Sequence, residues 1–92
     1  TKYQNLTLDA WMNLANCYMA QDDYHAAVQA FQMAARHDDL YEDAYRGQMI
    51  CWAKLGERAR IIYTYNLLKS SLKTINVSPS TRTDKLLIDL LA

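Results

Sequence analysis

The sequence predicts an all-α domain built from tandem antiparallel helical hairpins, and three observations predict it. Apolar residues recur at helical spacing, as in Trp11, Leu14, Ala15 and Tyr18 and again in Ala27, Phe31 and Ala34, so each segment carries one apolar stripe. The breakers of regular structure are few, two glycines and one proline in 92 residues, and strands have little support. Trp11 and Tyr45, Cys17 and Cys51, Tyr18 and Trp52, and Phe31 and Tyr65 are each 34 residues apart, the period of a repeating two-helix unit.

Taken in order, a first helix over 8–21 carries the stripe from Trp11 to Tyr18. Gln21-Asp22-Asp23 interrupts it with residues that prefer turns and N-caps. The second, over 24–37, buries Ala27, Phe31 and Ala34 and ends at His37-Asp38-Asp39. A third spans 41–55, and Gly56 can take the left-handed conformation that closes many helices. The fourth runs over 58–74, with Asn76 as a substitute for glycine beyond its end, and Pro79 stops helix from continuing. Ser80 then caps a last helix, 80–91, carrying Leu86, Leu87, Leu90 and Leu91. Residues 1–6 read as linker or helix remnant. The whole is one domain, 1–92: a first repeat at 8–37, a second, degenerate one at 41–74, and a C-terminal helix. The start at Thr1 without an initiator Met suggests a piece of a longer protein.

Composition narrows the function. Ten basic and ten acidic side chains balance to zero, whereas a domain gripping phosphates carries a basic excess, so direct nucleic-acid binding is not expected. Lys69, Lys73, Arg82 and Lys85 come nearest to a basic patch and read as a solvated face. No apolar run is long enough to span a bilayer. Cys17 and Cys51 belong to no metal-ligand cluster, which suits a reducing, cytoplasmic setting, and no cofactor is expected. Both cysteines occupy the same repeat position and are expected to be packed, poorly accessible and unbridged. His25 and His37 lack catalytic neighbours, and the Asp22-Asp23 and Asp38-Asp39 pairs lack calcium-loop spacing, so surface and capping roles are expected and no enzyme activity.

The stretch Asp9-Ala10-Trp11-Met12-Asn13-Leu14-Ala15-Asn16-Cys17-Tyr18 closely resembles the first helix of the tetratricopeptide repeat, and Tyr24, Ala27, Phe31 and Ala34 match its second. The usual closing proline is replaced by Asp39. In the second repeat Gln48, Met49, Arg58, Ile61 and Leu68 replace consensus residues. This degenerate half, Glu42-Asp43-Ala44-Tyr45-Arg46-Gly47, Leu55-Gly56-Glu57-Arg58-Ala59, Tyr65-Asn66-Leu67-Leu68, and then Val77-Ser78-Pro79-Ser80 and Thr83, resembles the bacterial transcriptional activator domain. Asn76, Arg82 and Thr83-Asp84 depart from that family's pattern. The resemblance implies a protein-interaction and dimerisation module beside a separate DNA-binding domain. Two other readings stand next to it, a general tetratricopeptide peptide-binding scaffold and a regulatory domain fused to a signalling enzyme.

By repeat geometry the concave face is lined by first-helix positions, Asp9, Met12, Asn16, Met19 and Ala20, then Asp43, Arg46, Ile50, Ala53 and Lys54. Met12, Asn16, Met19, Arg46, Ile50 and Lys54 are the expected contact residues, for a protein partner or for self-association. A neighbouring helix packed on this face is the competing expectation.

Overall fold

Each helix begins and ends on local chemistry that can be read from its residues. The computed structural model describes residues 6–92, in which five helices follow one another: α1 (Leu8–Ala20), α2 (Tyr24–His37), α3 (Glu42–Lys54), α4 (Arg58–Lys73) and α5 (Thr81–Leu91). All five expected helices are present, with ends within one residue of expectation. Of the expected N-terminal linker, 1–6, all but Leu6 lies outside the described residues.

Three helices start on side-chain caps. Thr7 accepts the Ala10 N–H (3.1 Å), Asp23 the Ala26 N–H (3.2 Å) and Ser80 the Thr83 N–H (3.3 Å). Three end on one backbone device, a residue with positive φ just past the last turn: Asp22 (56°), Gly56 (73°) and Asn76 (56°). At each, two N–H groups turn back onto orphan carbonyls of the helix. Asp22 and Asp23 reach Met19 and Tyr18, Gly56 and Glu57 reach Ala53 and Trp52, and Asn76 and Val77 reach Lys73 and Leu72, at 2.8–3.1 Å. Adjacent aspartates therefore divide the labour, Asp22 closing α1 and Asp23 opening α2. Where the repeat lacks its proline, Asp38 makes the turn by accepting the Leu40 N–H (3.0 Å), and the Tyr45 hydroxyl donates to the Asp39 carbonyl (3.0 Å).

The helices pack in chain order, α1 on α2, α2 on α3 and α3 on α4, while α5 folds back onto both α3 and α4. This nearest-neighbour pattern is that of a helical repeat. The core holds Trp11, Ala15, Ala27, Val28, Phe31 and Ala34 from the first hairpin and Ala44, Tyr45, Met49, Cys51, Ile61, Leu68 and Leu72 from the second, all buried.

Three expectations are corrected. Gly47 is no punctuator: it sits inside α3, where a Cβ would come within 2.5 Å of the Phe31 ring, so its missing side chain seats that ring. Cys17 is exposed whereas Cys51 is buried. Tyr18, expected in the core, is only half-buried. Tyr18 matches its repeat equivalent Trp52, which is also half-buried, whereas Cys17 and Cys51 differ for a reason of position. Cys51 in α3 faces back to α1, its thiol 3.3 Å from the Met19 sulfur, but among the described residues no helix stands before α1 to cover its corresponding face.

Candidate protein-binding groove

The wall of the candidate site is set by how α5 is attached. Pro79 is buried and Ser80 turns the chain into α5, bringing the Ser80 N–H to the Glu42 carboxylate (3.0 Å) at the start of α3. Thr83 is fully buried there. Its hydroxyl donates to the same Glu42 oxygen (2.7 Å) and accepts from Arg46 Nη1 (2.7 Å). Arg46 also pairs with Glu42 (3.7 Å) and with Asp43. Burial alone would raise the Glu42 pKa, but the bonds from Thr83 and Ser80 and the charge of Arg46 outweigh it and leave it below the usual glutamate value. On the other side of α5 the Tyr65 hydroxyl donates to Asp84 (2.6 Å), and that bond, helped by burial, pushes its pKa up to about 12. Polar contacts thus fix the first turns of α5, because Thr83 is its only fully buried residue.

Held this way, α5 forms the third side of a groove of about 540 Å³. Met12, Asn16 and Met19 come from α1; Asp43, Arg46, Gly47 and Ile50 from α3, with the Phe31 ring of α2 beneath; and Arg82, Lys85, Leu86 and Asp89 from α5. Five of the six residues expected at the contact surface therefore meet in one concavity. Lys54 does not: it is exposed near the end of α3, away from the groove lining. Arg46 lies in the groove, but its guanidinium is engaged by Glu42, Asp43 and Thr83, so it braces α5 more than it offers a free charge.

Repeat geometry points to first-helix positions only and is silent on the α5 side, and the expected solvated face of Lys69, Lys73, Arg82 and Lys85 is divided in the structure, which sets Arg82 and Lys85 on the groove. The sequence holds a signal for this, since 82, 85, 86 and 89 are spaced i, i+3, i+4 and i+7 and so form one stripe on a helix.

Residues 8–39 match the family model of the tetratricopeptide repeat. The match covers the first hairpin, so the chain carries a tetratricopeptide-like module, and its five helices extend the same antiparallel architecture through the second hairpin to a terminal helix. Tetratricopeptide repeats present concave surfaces on which other proteins bind, which identifies the module as an interaction scaffold. Comparison with curated proteins and with solved structures returned no match. Among the described residues no helix is long and apolar enough to cross a membrane.

Proposed function

We propose that this chain is the protein-interaction module of a bacterial transcriptional regulator, that it takes its partner in the groove between α1, α3 and α5, and that it performs no catalysis of its own. The observation that carries the partner-binding part is the groove itself, whose lining brings the apolar side chains of Met12, Met19, Ile50 and Leu86 together with polar and charged ones. Methionines suit such a lining because their flexible thioethers adapt to irregular surfaces. The regulator context rests on the resemblance of the second half to the bacterial transcriptional activator domain. It is supported by the way that motif works as a unit here, since Glu42 and Arg46 of α3 meet Ser80 and Thr83 of the Val-Ser-Pro-Ser connection. A general peptide-binding scaffold is the second reading, favoured by the family match to the first hairpin alone.

Replacing Met12 and Ile50 together by glutamate tests the groove. Helicity should persist because both positions are only half-buried, while binding to partner protein, or self-association measured by sedimentation, should be lost. Association unchanged in the double variant would move the interface elsewhere. Salt-sensitive, submicromolar binding of the chain to duplex DNA would contradict a purely protein-binding role.

A further inference from the structure

We infer that the groove selects a partner segment carrying a carboxylate beside apolar side chains, and that the selecting cations are Arg82 and Lys85 of the terminal helix rather than residues of the repeat's first helices. This rests on the reading of the groove as the partner site. The charge inventory of the lining leads to it. Asp43 and Arg46 are paired with each other, which removes both as free ligands. Arg82 and Lys85 are exposed, line the same groove, and have no acidic partner within ion-pair distance among the described residues. Being three positions apart on one helix, they present their charges side by side. Asp89, the remaining ionisable group of the lining, lies one turn beyond Lys85, so the α5 wall is cationic over its first half and anionic at its end.

This polarity sits beside apolar lining, and together they specify a segment: apolar side chains on Met12, Met19 and Ile50, and aspartate or glutamate against the start of α5. The first-helix positions of the groove contribute no free cation, since Met12, Asn16, Met19 and Ile50 are uncharged and Arg46 is engaged. Each contact is solvent-exposed and worth little alone, so the two cations together should contribute about tenfold in affinity, eroded by salt.

Panning a phage-displayed library of random peptides against three immobilised proteins tests this, namely the wild-type chain, Arg82→Glu/Lys85→Glu and Met12→Glu/Ile50→Glu, each checked for helicity by circular dichroism. Glutamate within the first turns suits a helix N-terminus, so the charge reversal leaves α5 formed. Wild-type should enrich peptides with apolar residues next to Asp or Glu. The charge-reversed variant should bind these about tenfold more weakly and enrich peptides with Lys or Arg at that place, and the Met12/Ile50 variant should enrich neither. Peptides without acidic bias on wild-type, or an acidic bias that survives the charge reversal, would overturn the assignment to Arg82 and Lys85 while the groove stands. No enrichment on wild-type, or enrichment indifferent to Met12 and Ile50, would overturn the groove together with it.

Discussion

The two hairpins share one register and are packed by different means. Trp11 and Tyr45 fill equivalent positions and both are buried, but Ala15 and Ala27, which let α1 and α2 approach closely, are replaced in α3 and α4 by Met49 and Ile61. All four are almost completely buried, so the degenerate repeat keeps the pattern of burial and changes the volumes that fill it. The second difference concerns Phe31 and its equivalent Tyr65. Phe31 is core, seated against Gly47, whereas Tyr65 is half-buried and uses its hydroxyl to hold α5. A repeat tolerates the loss of its consensus where the apolar stripe persists. The degenerate copy here has also acquired the polar contacts that fasten a terminal helix.

The largest way to break this comparison is to truncate Phe31. Phe31→Ala removes a buried aromatic at the junction of α1, α2 and α3 and should cost about 3–5 kcal/mol, enough to unfold a domain of this size. Chemical denaturation followed by circular dichroism measures it, and an unchanged midpoint would show that the two hairpins do not share the assigned register. Gly47→Ala comes next. Alanine favours helix by about 1 kcal/mol, yet its Cβ would lie 2.5 Å from the Phe31 ring, an overlap that should cost about 1–3 kcal/mol. The equivalent residue in α1, Asn13, is exposed, so Asn13→Ala should be neutral or slightly stabilising. A Gly47→Ala protein more stable than wild-type would mean that the ring has room to shift.

Most of the fold was legible because it is local. Apolar spacing gives the helices, Asp23 and Ser80 their starts, and Gly56 and Asn76 their ends, and each is decided within a few residues of chain. What could not be read depends on contacts between distant residues. Gly47 looks like a helix breaker until Phe31 is beside it. Arg46 has acidic neighbours at local spacing in Glu42 and Asp43, but its bond to Thr83, 37 residues on, which makes it a brace for α5, has no local signal. The groove was half legible for the same reason, since repeat periodicity locates α1 and α3 but says nothing of where a non-repeat helix comes to rest.

A smaller effect sharpens the contrast between Phe31 and Tyr65. Tyr65→Phe keeps the ring and deletes the bond to Asp84, so it should cost about 0.5–1.5 kcal/mol and speed hydrogen exchange in α5 before α1–α3. Wild-type should show the same weakness in alkali. Because the folded-state pKa of Tyr65 is raised, its contribution is complete below the unfolded value near 10 and disappears as pH rises through about 12. Glu42 has the opposite sign. Its lowered pKa gives a contribution that is complete above the ordinary glutamate value and is lost as pH falls through the folded one. Protection of the α5 amides, taken relative to their intrinsic exchange rate at each pH, should thus be greatest between these limits, and equal protection of α5 in the Tyr65→Phe protein would show that the helix is held by its leucines instead.

The smallest expected effect on stability belongs to the cysteine pair, which reads the comparison most directly because its two members are equivalent in sequence and opposite in surroundings. Cys17→Ala changes an exposed position and should leave stability within about 0.5 kcal/mol of wild-type. Thiol labelling should nonetheless separate the two sharply. Cys17 should react at the rate of an open thiol. Cys51 is completely buried and its pKa is pushed up to about 11 by that burial, so little thiolate forms at neutral pH and labelling must wait for the helices to open. One fast thiol per chain, abolished by Cys17→Ala, is the expected result, and two fast thiols would mean that α3 does not rest on α1. The same measurement on a longer protein or an assembly containing this chain extends the argument. Where a helix stacks on α1 as α1 stacks on α3, Cys17 becomes as unreactive as Cys51, and the protection of that one thiol reports that the repeat continues across the edge.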